Sequence, residues 1–209
     1  MRIDPAGWPF VGAALALAGV AALAAGPIAG LAPLILAGFF LFFFRDPDRV
    51  ATQAVNAVLS PADGRVMVAG TPTGHELPAG NWHQISIFLS PMDVHVNRMP
   101  IEGRVVKVRY HPGRFLPAYR ADAGDLNEYT EVWVDHGGQL IIVRQIVGIL
   151  ARRIVCRAGE GDQVRAGERF GIMKFGSRMD VFMPSSAEIK VKVGDRVVGA
   201  ITVIGVLAQ

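Results

Sequence analysis

The stretch Glu131-Val-Trp-Val-Asp-His-Gly-Gly138, running on into Leu140-Ile-Ile-Val143, decides the fold class. Two runs rich in β-branched and aromatic residues flank Asp135-His-Gly-Gly138, and paired glycines supply the positive φ angles of a tight hairpin turn. Outward from it, Ile85-Ser-Ile-Phe-Leu89 and Gly103-Arg-Val-Val-Lys-Val-Arg-Tyr110 are short runs of the same kind. Gly or Pro punctuates them, and no helical periodicity is sustained. Residues 45–209 are therefore expected to form a mainly β domain.

Two internal echoes refine that expectation. Ser60-Pro-Ala-Asp-Gly-Arg-Val66 is similar to Ser185-Ser-Ala-Glu-Ile-Lys-Val191, and Glu160-Gly-Asp-Gln-Val-Arg-Ala-Gly167 to Lys192-Val-Gly-Asp-Arg-Val-Val-Gly199. Gly-Asp turns between β-branched runs recur where a small β structure folds back on itself. The echoes resemble the half-motifs of biotinyl and lipoyl domains, which implies a barrel-sandwich-like β domain.

The first 44 residues have a different composition. From Val11 to Phe44 no side chain is charged. One straight helix at about 1.5 Å per residue would far exceed a bilayer core of about 30 Å. Gly26-Pro27, Gly30 and Pro33 interrupt the run near its middle, so residues 1–44 are expected to form a transmembrane helical hairpin. Arg2 precedes it and Arg45 and Arg49 follow it, so both flanks, and the β domain after them, are expected on the cytoplasmic face of the cell membrane. A cleaved signal peptide fits poorly, because the run is too long and no polar cleavage region follows.

A net charge of +3 over 209 residues, without a Lys/Arg block, gives no nucleic-acid signature. The single cysteine, Cys156, cannot form an internal disulfide. His75, His83 and His136 fit no metal-ligand spacing, so no metal is expected.

Chemistry concentrates in four segments: Ser60-Pro-Ala-Asp63-Gly, Leu89-Ser-Pro-Met-Asp93-Val-His95-Val-Asn97-Arg98-Met-Pro100, Tyr110-His111-Pro-Gly-Arg-Phe115, and Arg169-Phe-Gly-Ile-Met-Lys-Phe-Gly176-Ser177-Arg-Met-Asp-Val-Phe-Met-Pro184. Each sets titratable or hydroxyl side chains beside Pro or Gly at the edge of a β run, where a rigid scaffold positions loop chemistry.

In the order and spacing of these segments the chain resembles the phosphatidylserine decarboxylase family, its short bacterial and archaeal type, from Phe43-Phe-Arg-Asp-Pro47 onward. The resemblance implies self-cleavage between Gly176 and Ser177 into a β chain, 1–176, and an α chain, 177–209, which stay together as a heterodimer. It leaves open whether heterodimers assemble further. The resemblance further implies that Ser177 becomes a covalent pyruvoyl group, the cofactor, with the following chemistry expected of it. Its ketone forms a Schiff base with the amine of phosphatidylserine in the membrane and takes up the electrons released as carbon dioxide leaves. The product is phosphatidylethanolamine.

The resemblance assigns Asp63 to self-cleavage and His95 to decarboxylation. Larger family members carry a second histidine three residues after the first, where this chain has Arg98. An arginine is effectively always protonated, so it serves as an anion clamp rather than a base. His95 or His111 is then left as base. Glu128 is a further candidate, in Asn127-Glu128-Tyr129, where the family continues with arginine. Two other readings remain: a biotinyl-like carrier or membrane adaptor, with Met173-Lys174 as the modified tip, and an inactive homologue.

Overall fold

The computed structural model describes residues 2–72, 77–149, 153–174 and 177–208. His75 and Gly176 therefore lie outside the described residues. The chain divides into two compact units at Asp48/Arg49.

In the first unit, helices α1 (Trp8–Ala25) and α2 (Leu31–Phe43) are joined through Gly26 and a short 3-10 turn, Pro27–Gly30. The glycine has φ +89°, a conformation that L side chains rarely adopt. A Cβ at Gly30 would lie 2.9 Å from the Ala18 carbonyl and 3.1 Å from the Ala22 methyl, so small residues let the helices pack closely. At the other end Phe10 meets Phe40 and Phe44, each at 5.4 Å between ring centroids. Strands β1 (Arg2–Ile3) and β2 (Arg45–Asp46) pair and bring the two ends of the hairpin together. Outward-facing side chains are apolar, with Leu23 91% and Ile28 82% exposed. Pro5–Ala25 is long and apolar enough to cross a membrane, whereas Pro27–Phe43 is shorter.

The second unit opens with β3 (Ala57–Leu59), β4 (Gly64–Gly70), β5 (Trp82–Leu89), β6 (Val96–Arg98) and β7 (Gly103–His111). A short helix, α3 (Ala123–Leu126), precedes β8 (Tyr129–His136) and β9 (Gln139–Val147). Then come β10 (Ile154–Cys156), β11 (Gln163–Val164), β12 (Arg169–Met173) and β13 (Ser177–Pro184). The chain ends with β14 (Glu188–Ile189), β15 (Arg196–Val197) and β16 (Val203–Val206). The β8–β9 hairpin forms where Asp135-His-Gly-Gly138 predicts it, with Gly137 and Gly138 at positive φ.

Among the described residues the largest sheet has eight antiparallel strands in the order β11-β7-β8-β9-β13-β5-β4-β15. Two smaller sheets run β10-β12-β6 and β14-β16-β3. None closes into a barrel, so the expected barrel-sandwich is corrected to open sheets that end at the two-residue strands β11 and β15.

These orders show an internal duplication. Exchanging β3, β4, β5, β13, β14, β15 and β16 for β6, β7, β8, β9, β10, β11 and β12 turns the large sheet end for end and swaps the small ones. The match extends to details. Gly64-Arg-Val66 and Gly103-Arg-Val105 each precede a bulge at the same place, between Val66 and Val68 and between Val105 and Lys107. Gly161 and Asp162 exchange backbone hydrogen bonds of 2.8 and 2.9 Å with Val105, as Gly194 and Asp195 do with Val66, both at 2.9 Å. The echo between residues 160–167 and 192–199 is thus real, but Ser60–Val66 corresponds to Met99–Val105 rather than to Ser185–Val191. The second repeat, β6 to β12, is inserted between β5 and β13 of the first. Two linkers result, Ser90–His95 and residues 174–176.

Candidate active site

The segments that flank the two linkers are tied to each other at both ends. Leu89 pairs with Ser177 at one end, and the Met173 amide donates to the His95 carbonyl at 3.4 Å at the other. The repeat junction therefore carries Ser177 at one end and His95 at the other, from positions far apart in the chain.

Ser177 opens β13 between β5 and β9, opposite Leu89 and Val147. Side chains alternate along a strand, so Ser177, Met179, Val181 and Met183 face the core. Ser177 is fully buried, and its hydroxyl has no hydrogen-bond partner among the described residues. A buried, unsatisfied hydroxyl costs stability and signals another use.

The other face of β13 is polar and equally buried. Arg178 donates to both Asp180 oxygens, at 2.6 and 2.8 Å, and to Ser86 Oγ at 3.0 Å. Gln84 Nε2 completes the network, 3.1 Å from Asp180 Oδ2. This clamp ties the residue after Ser177 to β5.

His95 is fully buried. Its Nδ1 lies 3.0 Å from the Asp93 carbonyl, which can only accept, so Nδ1 is the ring nitrogen that donates there. The linker is itself fixed: Asp93 Oδ2 accepts from the Ser90 amide at 2.8 Å, and Asp93 Oδ1 lies 3.4 Å from Arg196.

Other candidates fall around this pair to different degrees. Asp63 directly precedes Gly64, where a Cβ would strike the Phe88 carbonyl, so it comes to the same end of the sheet as Ser177. Its carboxylate is held by Arg49 at 2.6 and 2.8 Å and by the Gly199 amide at 2.8 Å. The Glu128 carbonyl accepts from Val147 at 3.1 Å, which places Glu128 one strand beyond Ser177's neighbour. Arg98 is buried and donates to the Gly167 carbonyl at 3.2 Å. With Arg49, Arg165 and Arg169 it lines an open cavity of about 600 Å³.

His111 lies elsewhere. It pairs with Tyr129 and stacks on it at 4.2 Å, and its Nε2 is 3.4 Å from Glu131. Tyr129 pairs with Ile146, and Ile146 with Arg178. His111 therefore shares the Arg178 face of the sheet, opposite to Ser177. Burial raises the Cys156 thiol above its ordinary range, which suits a structural role.

A fully buried serine hydroxyl and a fully buried imidazole at the junction of the two repeats are groups that an enzyme with an oxygen nucleophile can use. A family profile described as "Phosphatidylserine decarboxylase" matches residues 36–205. The chain is 45% identical over 204 residues, 97% of its length and 94% of the relative's, to a "Phosphatidylserine decarboxylase proenzyme" of Symbiobacterium thermophilum. It is 40% identical over 202 residues to a proenzyme of the same description from Geotalea uraniireducens, covering 96% and 94% of the two chains. With the counterpart from Prosthecochloris aestuarii the identity is 42% over 171 residues, 82% and 78% of the chains. The chain belongs to the phosphatidylserine decarboxylase family.

Proposed function

We propose that this protein is a proenzyme that cuts itself between Gly176 and Ser177 and then decarboxylates phosphatidylserine to phosphatidylethanolamine at a pyruvoyl group made from Ser177. The observation that carries this reading is the buried Ser177 hydroxyl, without a described partner, at the repeat junction whose other end carries His95. Family membership and the proenzyme descriptions of three relatives support it.

The precursor residues fit the group. Ser177 begins a strand paired on both sides, and the Arg178–Asp180–Ser86 clamp holds the next residue. A break before Ser177 would leave the new terminus inside the protein and the α and β chains joined through the sheet. A pyruvoyl group there supplies the electron sink for loss of carbon dioxide. The chain's own residues divide the remaining work. The Ser177 hydroxyl attacks the preceding carbonyl, and His95 Nε2 can take up that proton in the precursor. His95 can likewise return a proton to the substrate carbon in the mature protein. In this reading His95 is the base for self-cleavage; that His111 pairs on the other face of the sheet and Arg98 stays protonated supports the choice. Asp63 serves the same step through its hold on the Arg49–Gly199 corner, because Pro61 beside it accepts the Arg98 amide at 2.8 Å.

The apolar hairpin supports attachment to the membrane that holds the substrate, with Arg2, Arg45 and Arg49 favouring a cytoplasmic catalytic unit. Removing residues 1–44 is expected to leave a soluble domain that still self-cleaves but turns over lipid in vesicles at least tenfold more slowly. Gel processing and carbon dioxide release check this. A truncated chain that neither folds nor cuts would show that the hairpin is part of the catalytic core.

A further inference from the structure

Arg178 and Asp180 form an ion pair inside the protein, directly after the residue on which the proposed chemistry turns. Both are buried, at 2% and 0% exposure. The duplicated fold shows what the same sheet positions hold in its other copy. Gly64 and Gly103 begin matching strands, and a Cβ on each would strike the carbonyl of Phe88 and of Asp135 respectively. Arg178 is paired with Phe88 and Asp180 with Ser86, whereas Leu140 is paired with Asp135 and Ile142 with Trp133. Arg178, Asp180 and Ser86 therefore correspond to Leu140, Ile142 and Trp133. One copy fills these positions with apolar side chains, and Ile142 is fully buried there. The sheet does not require charges at this place, and replacing a buried ion pair by well-packed apolar residues is often neutral or stabilising.

The two copies differ in what starts the strand. β9 follows β8 through the tight turn at Gly137-Gly138, so a continuous hairpin holds its first residues. In the first copy the second repeat is inserted at that point, and β13 starts after residues 174–176. A cut before Ser177 makes the start of β13 a chain end, and chain ends fray unless tied down. The clamp ties this one. Arg178 Nε and Nη2 donate to the two Asp180 oxygens at 2.6 and 2.8 Å, a bidentate fork of fixed geometry. Nη2 also donates to Ser86 Oγ on β5 at 3.0 Å, and Nη1 to the Arg120 carbonyl at 3.4 Å. Gln84 Nε2 donates to Ser86 Oγ at 3.0 Å and to Asp180 Oδ2 at 3.1 Å. Side chains alternate along a strand, so the clamp holds β13 from the face opposite to the Ser177 side chain.

We propose that Arg178 and Asp180 are positioning residues that act after the cut: they hold the new end of β13 in register and so keep the group made from Ser177 in place for turnover. This rests on the self-cleavage reading above and adds to it two residues that act through the backbone of residue 177. Before the cut, the chain itself restrains residue 177 from both sides. After it, the ladders to β5 and β9 and the clamp carry that restraint. A misplacement of about 1 Å at a reacting group can cost about 100-fold in rate. A loose strand end therefore lowers kcat, while the affinity for lipid stays the same.

The test uses the full-length chain, with wild type alongside. Arg178→Leu with Asp180→Ile transplants the residues of the second copy and removes both charges together, so neither is left buried and unpaired. Each chain is also made with Ser177→Ala as its uncut reference. In the uncut references the double substitution is expected to leave the thermal midpoint and the hydrogen exchange of the residue 178–181 amides close to those without it. In the cut protein the same amides should exchange at least about tenfold faster than in cut wild type. There kcat should fall by about 100-fold with KM unchanged. Ser86→Ala removes the clamp's tie to β5 and keeps the ion pair; it decides the matter if the double variant fails to fold or to cut, with an expected kcat loss of about tenfold. Wild-type exchange and kcat in the cut variant would overturn the role of the clamp while leaving self-cleavage at Ser177 intact. Equally faster exchange in the uncut reference would overturn it too, because the pair would then support the strand at every stage. A wild-type chain that does not cut would overturn the underlying reading and this one with it.

Discussion

Ser177→Ala is expected to accumulate as one full-length, membrane-bound chain with no measurable decarboxylation. Alanine has no oxygen to attack the preceding carbonyl, so neither the cut nor the cofactor can form, and the loss should be complete rather than partial. The fold should survive. Ser177 contributes one small side chain to a face otherwise made of Met179, Val181 and Met183, and its hydroxyl makes no hydrogen bond to a described residue. Removing an unsatisfied buried hydroxyl is neutral or mildly stabilising. A denaturing gel of the purified variant, read with its thermal midpoint, checks both statements. Normal two-chain processing would refute the assignment of Ser177.

The second large effect separates the two chemical steps. Loss of a positioned proton-transfer group costs roughly 10²–10⁴-fold in rate. His95→Ala is therefore expected to reduce carbon dioxide release to near background. In the reading proposed above His95 is the base for cleavage as well, so this variant should also process slowly or not at all. Asp63→Ala should accumulate uncut precursor by a different route. Its loss removes the acceptor of Arg49 at 2.6 and 2.8 Å and of the Gly199 amide at 2.8 Å, and leaves Arg49 its 2.9 Å bond to the Gly199 carbonyl. Whatever fraction of Asp63→Ala does mature should turn over near normally. Normal cutting together with normal turnover in His95→Ala would remove His95 from the site.

Much of the architecture was readable in the residues, and the parts that were not have physical reasons. The charge-free run from Val11 and its Gly26-Pro27 break announce a helical hairpin, and Gly137-Gly138 announces the turn between β8 and β9. The Gly-Asp echoes are genuine, but the partner of Ser60–Val66 was misread. Its true match, Met99–Val105, shares Pro, an acidic residue and Gly-Arg-Val in the same places. A composition-level likeness to Ser185–Val191 competed with it, and only register separates the two. Barrel closure was inferred from domain likeness, and strand order alone reveals the open ends.

The site shows the same division. Ser177 and His95 were legible as motif residues, whereas the face on which His111 falls depends on pairing through Tyr129 and Ile146. Arg178 and Asp180 were missed because charged residues alternating with apolar ones read as a solvated strand face, yet both are buried here.

The most direct test of the central claim is an intact-mass spectrum of the purified full-length protein. Self-cleavage at Ser177 predicts two species, residues 1–176 and residues 177–209, the smaller one carrying a pyruvoyl group in place of its first serine and resisting Edman degradation. A single unmodified 209-residue chain, or one chain with biotin added at Lys174, would contradict it.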